Sequence, residues 1–126
     1  MIIGIGVDMI WVRDVREALA HYGNQYTDEI FTAEERNYCE STADPAQRYA
    51  ARFAAKEAFM KAFGTGWGNG VGWTEIAICN LPSGAPTLAL SGTAKAMAET
   101  RGVKKCHVSL THTRDLAMAE VLLESN

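Results

Sequence analysis

The stretch that decides the fold of this chain is Arg52-Phe53-Ala54-Ala55-Lys56-Glu57-Ala58-Phe59-Met60-Lys61-Ala62. It is rich in strong helix formers, and its apolar residues occupy more than one side of a helix, so we expect a buried helix. Glu57 and Lys61 lie one turn apart on the same face. Ionised groups among apolar neighbours are costly unless they pair or bind a charged ligand. The two side chains therefore either form an ion pair with each other or belong to a binding site.

The remaining elements follow from caps, turns and periodicity. Asp44-Pro45 predicts the start of the central helix, and Gly64 predicts its end after Phe63. A capping box, Thr32-Ala33-Glu34-Glu35, opens a helix that reaches about Glu40. The other predicted elements are strands at 2–10, 75–80 and 86–90, helices at 12–22 and 92–101, and a hairpin of 105–113 with 116–123. We expect one α+β domain in which a mostly antiparallel sheet packs against a long central helix.

Composition limits the classes of function. The chain has 126 residues, of which 48% are hydrophobic and 21% charged, as expected for a single globular domain. It has no apolar run of membrane-spanning length and no signal peptide, so we expect a cytoplasmic protein without a membrane partner. Its net charge of −3 offers no general attraction to nucleic acid. Three scattered cysteines, Cys39, Cys79 and Cys106, predict buried thiols rather than disulfides or a zinc site.

The first strand carries an unusual face. Alternation puts Ile3, Ile5 and Val7 on one side and Gly4, Gly6 and Asp8 on the other. That second face is bare until Asp8, so either a bulky group could approach the backbone there or the strand crosses another element in tight packing. Asp8 is then either the cap of the following helix or, together with Glu57, one of two carboxylates that could hold Mg²⁺.

A glycine-rich segment follows the central helix, with five glycines in residues 64–72. Such a segment could present backbone N–H groups to phosphate oxygens, or it could be a flexible surface loop. It is not a Walker A motif, since no Gly-Lys-Ser/Thr closes it, and it is not a dinucleotide fingerprint, since it follows a helix.

Two further features allow two interpretations each. His112 shares a strand face with Val108 and Leu110, which fits a hydrogen-bonded core histidine or a functional one. Arg13 and Arg16 lie on the outward side of the first helix, where they are either simply solvated or dock an acidic partner.

The order of four segments resembles a known family. They are Gly4-Ile5-Gly6-Val7-Asp8, Arg52-Phe53-Ala54-Ala55-Lys56-Glu57-Ala58, Lys61-Ala62-Phe63-Gly64-Thr65-Gly66 and Val108-Ser109-Leu110-Thr111-His112. At this spacing the chain resembles, over nearly its whole length, the small bacterial holo-acyl-carrier-protein synthases, which are phosphopantetheinyl transferases. The resemblance departs from the family at Thr111, where serine is usual, and at Met9-Ile10-Trp11, where an acidic residue commonly follows the strand.

The resemblance implies a function. The phosphopantetheine arm of coenzyme A would pass to a serine of acyl carrier protein, releasing adenosine 3′,5′-bisphosphate, in a homotrimer with interfacial active sites. Asp8 and Glu57 would bind Mg²⁺, and Lys61 would contact the phosphates and stabilise the leaving group. Arg52 and Gly64-Thr65-Gly66 would approach the coenzyme A phosphates, and His112 would lie near the adenosine 3′-phosphate. Arg13 and Arg16 would dock the acidic recognition helix of the carrier protein.

Several alternatives stay open. The serine proton could pass to Glu57, to a metal-bound water or to solvent; our hypothesis places a water between Mg²⁺ and the serine, with Glu57 assisting as general base. A different coenzyme A-dependent transferase, such as a metal-independent acyltransferase, is the enzymatic rival. A module that binds carrier protein or coenzyme A without turnover is the non-enzymatic rival, but Asp8, Glu57 and Lys61 are all present.

Overall fold

The computed structural model describes residues 1–67 and 70–126. Its central element is the 19-residue helix α4 (Pro45–Phe63), which begins at a proline and ends at Gly64 in the left-handed conformation. The other elements, in chain order, are β1 (Ile2–Trp11), α1 (Val12–Tyr22), α2 (Asn24–Ile30), α3 (Ala33–Cys39), β2 (Ile76–Asn80), β3 (Pro86–Leu90), α5 (Gly92–Thr100), β4 (Lys105–His112) and β5 (Leu116–Glu124), with a 3₁₀ turn at Trp73–Glu75 before β2. No helix in these described ranges is long and apolar enough to cross a membrane.

The strands form two antiparallel sheets. One has the order β1-β5-β4, and the other is the hairpin β2-β3. Helix α4 packs across β1 and β5, and its alanines and phenylalanines form much of the core between the two sheets. The predicted α+β fold with a central helix is confirmed.

Most predicted boundaries agree with the structure to within two residues, but one helix was missed. Helix α2 has only seven residues, Asn-Gln-Tyr-Thr-Asp-Glu-Ile, without an apolar period. It is held by tertiary contacts: Gly23 adopts a φ of 56° between α1 and α2, and Thr27 and Ile30 are buried. Too short to be stable alone, such a helix leaves no periodic signal in the sequence.

The most deeply buried charges are a pair that the sequence did not single out. Lys56 on α4 and Glu35 on α3 are both fully buried, and Lys56 Nζ lies 2.8 Å from Glu35 Oε1. Lys56 also donates to the carbonyls of Trp73 at 3.0 Å and Ile76 at 2.7 Å. Glu35 in turn accepts hydrogen bonds from the backbone N–H of Ile78, at 2.9 Å, and from that of the capping residue of α3. The network thereby joins α3, α4, the turn at Trp73 and β2.

The charged form of Lys56 depends on this network. Burial lowers the pKa of the ammonium group, and the Glu35 carboxylate partly offsets that shift. A buried pair of this kind adds little net stability over an apolar pair, but breaking it leaves one buried charge without a counter-ion. Its effect is to fix α3 and β2 against α4.

We therefore expect Lys56→Met to lower the free energy of unfolding by about 3–5 kcal/mol, because Glu35 would stay buried without its cation. Urea unfolding at one protein concentration measures the change. The matched control is Lys95→Met on the exposed face of α5, which should change stability by less than about 0.5 kcal/mol. Equal effects of the two substitutions would contradict a structural role for the pair.

Candidate functional site

The site begins where β1 crosses α4. A Cβ atom built on Gly6 would lie 1.9 Å from the carbonyl oxygen of Ala58, and one on Gly4 would lie 2.2 Å from that of Ala62. No side chain fits at either position. The bare face of β1 therefore packs against α4, and the two backbones are in direct contact.

Asp8 is the next residue along that strand face, and it meets Lys61 of α4. Lys61 Nζ donates to Asp8 Oδ1 at 2.9 Å and to the Val7 carbonyl at 3.2 Å. The interpretation of Lys61 as an ion-pair partner of Glu57 is therefore wrong. The interpretation of Asp8 as a helix cap is also wrong, because the N-cap residue of α1 is Trp11 and it makes no side-chain cap hydrogen bond.

Glu57 lies one turn before Lys61 and shares its helix face. Its side chain is half-buried, and within residues 1–67 and 70–126 it forms neither a hydrogen bond nor an ion pair. Its carboxylate is thus available to a ligand, next to the Asp8–Lys61 pair. Two of the three predicted catalytic side chains touch, and the third is adjacent on the same helix.

The oxygen atoms here suit a hard divalent cation. Asp8 Oδ1 and the Val7 carbonyl already face a positive group, the Lys61 ammonium. The part of the chain that the structure describes contains no cluster of three or more His, Cys, Asp or Glu side chains able to hold a metal. Two carboxylates with open positions left for water or phosphate match Mg²⁺, which gives up its waters reluctantly. By their chemistry, Asp8 and Glu57 are the side chains at this site that could hold such an ion.

Arg52 and His112 form a second cluster, in a cavity of about 270 Å³ that Tyr38 and Asn80 also line. Arg52 is 3% exposed. Its guanidinium donates to Asn80 Oδ1 at 2.6 Å and stacks 4.2 Å from the Tyr38 ring centroid, while its buried Nε has no partner. His112 is exposed at the cavity edge, so the interpretation as a core histidine is wrong.

The two clusters do not meet within one chain. Arg52 and Lys61 are nine residues apart on α4, which separates them by about 13 Å along the axis and by about half a rotation around it. Asp8, Glu57 and Lys61 thus lie on the side of α4 opposite Arg52. A single ligand can contact both clusters only if it spans two chains or passes around the helix.

The glycine segment after α4 is anchored at both ends. Arg101 donates to the carbonyl of Phe63 at 3.0 Å. Glu75 accepts a hydrogen bond at 3.3 Å from the backbone N–H of Gly72, where the segment ends, and another from the first turn of α5. Sequence reasoning missed both anchors, because their partners are backbone atoms with no pattern of their own.

The middle of this segment is partly packed. Trp67 stacks on Trp73 with ring centroids 3.9 Å apart, and Trp73 stacks on Phe53 of α4. The predicted phosphate-binding residues Gly64, Thr65 and Gly66 precede this stack and are exposed. The expectation of a loop without packing is therefore wrong for Trp67, while Gly68 and Asn69 lie outside the described residues.

Arg13 and Arg16 lie on the exposed side of α1, as predicted. Arg16 forms an ion pair with Asp44 at 2.7 Å, and the Arg13 guanidinium lies 4.8 Å from the centroid of the Trp11 ring.

The environment of the three cysteines disfavours nucleophilic chemistry. Burial raises the pKa of Cys39 to about 12 and also raises the pKa values of Cys79 and Cys106. A thiol with a raised pKa is protonated at neutral pH and reacts poorly. The prediction of buried or half-buried thiols is confirmed.

Comparison with known proteins assigns the family. The model of the 4′-phosphopantetheinyl transferase superfamily matches residues 4–121. This chain belongs to that superfamily. It is 48% identical to a holo-[acyl-carrier-protein] synthase of Solibacter usitatus, over 99% of this chain and 100% of the relative. The resemblance seen in the sequence is confirmed, and the chain is an enzyme of the phosphopantetheinyl transferase class.

Solved structures of related proteins agree with this fold. The crystal structure of the holo-[acyl-carrier-protein] synthase from Neisseria meningitidis matches with a TM-score of 0.90 at 31% identity, covering 98% of this chain and 99% of that one. A synthase from Bacillus anthracis, solved in complex with CoA (3′,5′-ADP), matches with a TM-score of 0.82 at 34% identity, covering 100% and 99% of the two chains.

The contact between β1 and α4 generates a prediction. Gly6→Ala should lower the free energy of unfolding by about 2 kcal/mol or more, because the new methyl group collides with backbone atoms that cannot rotate away. Thermal or urea unfolding measures this. Gly66→Ala is the control, since nothing lies within 4 Å of its Cβ position, and its stability should change by less than about 1 kcal/mol. A Gly6→Ala protein as stable as the control would show that the two backbones are not in tight contact.

Proposed function

We propose that this chain transfers the 4′-phosphopantetheine group of coenzyme A to a serine hydroxyl of apo acyl carrier protein, with Mg²⁺, releasing adenosine 3′,5′-bisphosphate. The observation that carries the proposal is the grouping of Asp8, Glu57 and Lys61 where β1 crosses α4. The relatives named holo-[acyl-carrier-protein] synthase support it, as do the complexes of similar structures with coenzyme A. Fatty acid biosynthesis in the cytoplasm is the process it would serve.

The three residues share three tasks, which are metal binding, phosphate contact and proton transfer. Asp8 and Glu57 hold Mg²⁺, which when bound offsets negative charge on the pyrophosphate oxygens. Lys61 is long and half-exposed, so its ammonium can leave Asp8 and contact a phosphate oxygen on the leaving side. In the described part of the chain Glu57 has no hydrogen-bond or ion-pair partner, so one of its oxygens can accept the proton of the attacking serine, directly or through one water.

Coenzyme A would use both clusters. Gly64, Thr65 and Gly66 are exposed beside Lys61, so phosphate oxygens can approach the backbone there, although the N–H of Gly64 already donates to the Lys61 carbonyl at 2.9 Å. Arg52 and His112 supply a guanidinium and an imidazole for the adenosine 3′-phosphate. Because these two groups lie on opposite sides of α4, the complete site combines the Asp8 side of one chain with the Arg52 side of another.

A homotrimer would supply that arrangement, and the surface of the sheet supports it. The outer face of β1 exposes Ile5, Val7 and Met9, which are 62%, 49% and 61% accessible, and Met118 of β5 lies directly opposite Met9. An exposed apolar stripe on a regular strand is costly in water and marks an interface. The sequence predicted that Ile3 would share this face. This prediction is wrong, because a bulge near Ile3 turns its side chain towards the core.

The acyl carrier protein would dock on the exposed side of α1. Arg13 and Arg16 present two guanidinium groups there, which suit the acidic recognition helix of the carrier. Docking at α1 places the carrier next to the end of β1, close to Asp8.

The activity itself is tested by mass. The chain is incubated with coenzyme A, Mg²⁺ and an apo acyl carrier protein, and the carrier should gain the mass of one phosphopantetheine group. EDTA should abolish the gain, because the phosphates then lose their counter-ion. A mass gain that survives chelation would overturn the role of Mg²⁺. With an acyl-coenzyme A donor, a gain of the acyl group alone would favour an acyltransferase, and binding of several carriers without any mass gain would favour a binding module.

Glu57→Gln tests the roles of this carboxylate. We expect weaker Mg²⁺ binding by calorimetry and a fall in kcat of about 100-fold or more at saturating Mg²⁺, because the amide neither carries charge nor accepts a proton. The fold should be unaffected, since Glu57 loses no hydrogen bond or ion pair among residues 1–67 and 70–126. Glu99→Gln, an exposed carboxylate on α5, is the control. A Glu57→Gln enzyme with full magnesium-dependent activity would overturn both roles.

Mixed oligomers test the shared site. Lys61→Ala disables one half of the site and His112→Glu the other, so each variant alone should be inactive. When the two are coexpressed, a complete site forms wherever an intact Lys61 half meets an intact His112 half across an interface. Random assembly in a cyclic trimer gives about one quarter of wild-type activity. No recovery above the separate variants would mean that each site lies within one chain.

A further inference from the structure

A recess at the end of the sheet is not used by the catalytic residues. It has a volume of about 260 Å³ and is lined by Trp11, Arg13, Arg16, Arg114 and Asp115. Its two walls are the β1–α1 junction and the β4–β5 turn, which are far apart in sequence.

The recess is a fixed part of the fold. The backbone N–H of Val12 donates to the carbonyl of Asp115 at 2.8 Å and so joins the two walls. The hydroxyl of Thr113 accepts hydrogen bonds from the N–H groups of Asp115 and Leu116, which hold the β4–β5 turn. The side chains lining the recess therefore start from backbone positions that are set in the free chain.

The lining is cationic, although the chain as a whole has a net charge of −3. It contains three guanidinium groups and one carboxylate. Arg16 is committed to Asp44 at 2.7 Å. Arg13 lies 3.9 Å from the Asp14 carboxylate, and Arg114 lies 3.4 Å from its neighbour Asp115; both are loose contacts between exposed side chains. Within the described residues, most N–H donors of Arg13 and Arg114 thus have no partner.

Trp11 positions the guanidinium of Arg13 for binding an anion. Its indole is 46% exposed although it occupies the N-cap position of α1, where it forms no cap hydrogen bond. The Arg13 guanidinium stacks over the ring at 4.8 Å. Stacking restricts the guanidinium but leaves its edge N–H groups free for two parallel hydrogen bonds to a carboxylate. Trp11 is also one of the positions at which this chain departs from the pattern of its family.

We propose that this recess binds an acidic side chain of the acyl carrier protein, and that Trp11 and Arg114 extend the docking surface of Arg13 and Arg16. The inference rests on the proposed function, since it names the contacts of the same partner. A carboxylate between Arg13 and Arg114 matches the charge of the recess and the bidentate geometry of guanidinium groups. Trp11 follows Asp8 by three residues along β1, or about 10 Å, so a carrier held here lies beside the reaction centre.

The test measures binding of an apo acyl carrier protein to the full chain by calorimetry without coenzyme A. Arg114→Ala should weaken binding about 5- to 10-fold, and Trp11→Ala by a similar factor, while Trp11→Phe should keep most of the affinity. The KM for coenzyme A should not change in any of them. Lys104→Ala removes one exposed positive charge elsewhere and is the matched control. The Arg114 side chain is 89% exposed, so its removal leaves the fold intact.

A double-mutant cycle then identifies the carrier side chain that the recess binds. Acidic residues of the carrier are changed singly to the corresponding amide, and one of them should lose its effect when Arg114 is already alanine. Unchanged binding by both Arg114→Ala and Trp11→Ala would overturn the recess but leave the transferase activity standing. Carrier binding that depends on the recess, without any mass gain, would overturn the transferase activity alone. No binding by the unmodified chain would overturn both.

Discussion

The close approach of β1 to α4 is the constraint on which the rest of this structure depends. At Gly6 the strand lies so near the helix that a methyl group would sit 1.9 Å from the Ala58 carbonyl oxygen. This contact aligns the strand with the helix and lets Lys61 reach Asp8, two residues beyond Gly6. The glycines are therefore required by packing, and the site exists because that packing places a strand carboxylate beside a helix lysine. Chemistry and fold depend here on the same few atoms.

Helix α4 divides its faces among different tasks. Ala58 and Ala62 meet β1, Lys56 faces α3 and β2, and Arg52 faces the cavity that it shares with His112. Such a helix cannot have one polar and one apolar side, which is why its apolar residues occur all round it. The same geometry separates the two proposed halves of the ligand site, because residues nine apart on a helix point in opposite directions. Assembly of several chains is then a way to bring the halves together.

Sequence reasoning predicted the elements with strong local signals and missed those set by tertiary contacts. The capping box of α3 and the proline start of α4 predicted their helices correctly. Helix α2 has no such signal. The partner of Lys61 could not be found from spacing along α4, because Asp8 is 53 residues away. The role of Lys56 was also missed, because its burial depends on Glu35, and the sequence shows Glu35 only as part of a capping box. The grouping of the candidate site was largely foreseen through its motifs, but its division between two faces was not.

Lys56 and Lys61 lie five residues apart on α4, and each forms an ion pair with a carboxylate. The two pairs differ in burial, and so in how readily they separate. The Lys61 side chain is 56% exposed, so its pair with Asp8 belongs to the class worth about 0–1 kcal/mol and separates readily. The Lys56–Glu35 pair is fully buried, and parting it would leave two charges without water. Phosphate can therefore recruit Lys61 at little cost, whereas Lys56 must stay where it is. The buried Lys56–Glu35 pair fixes α4 in the fold, and the exposed Lys61–Asp8 pair leaves a lysine available for phosphate. Both pairs join a lysine to a carboxylate, so the difference in their roles comes from their exposure.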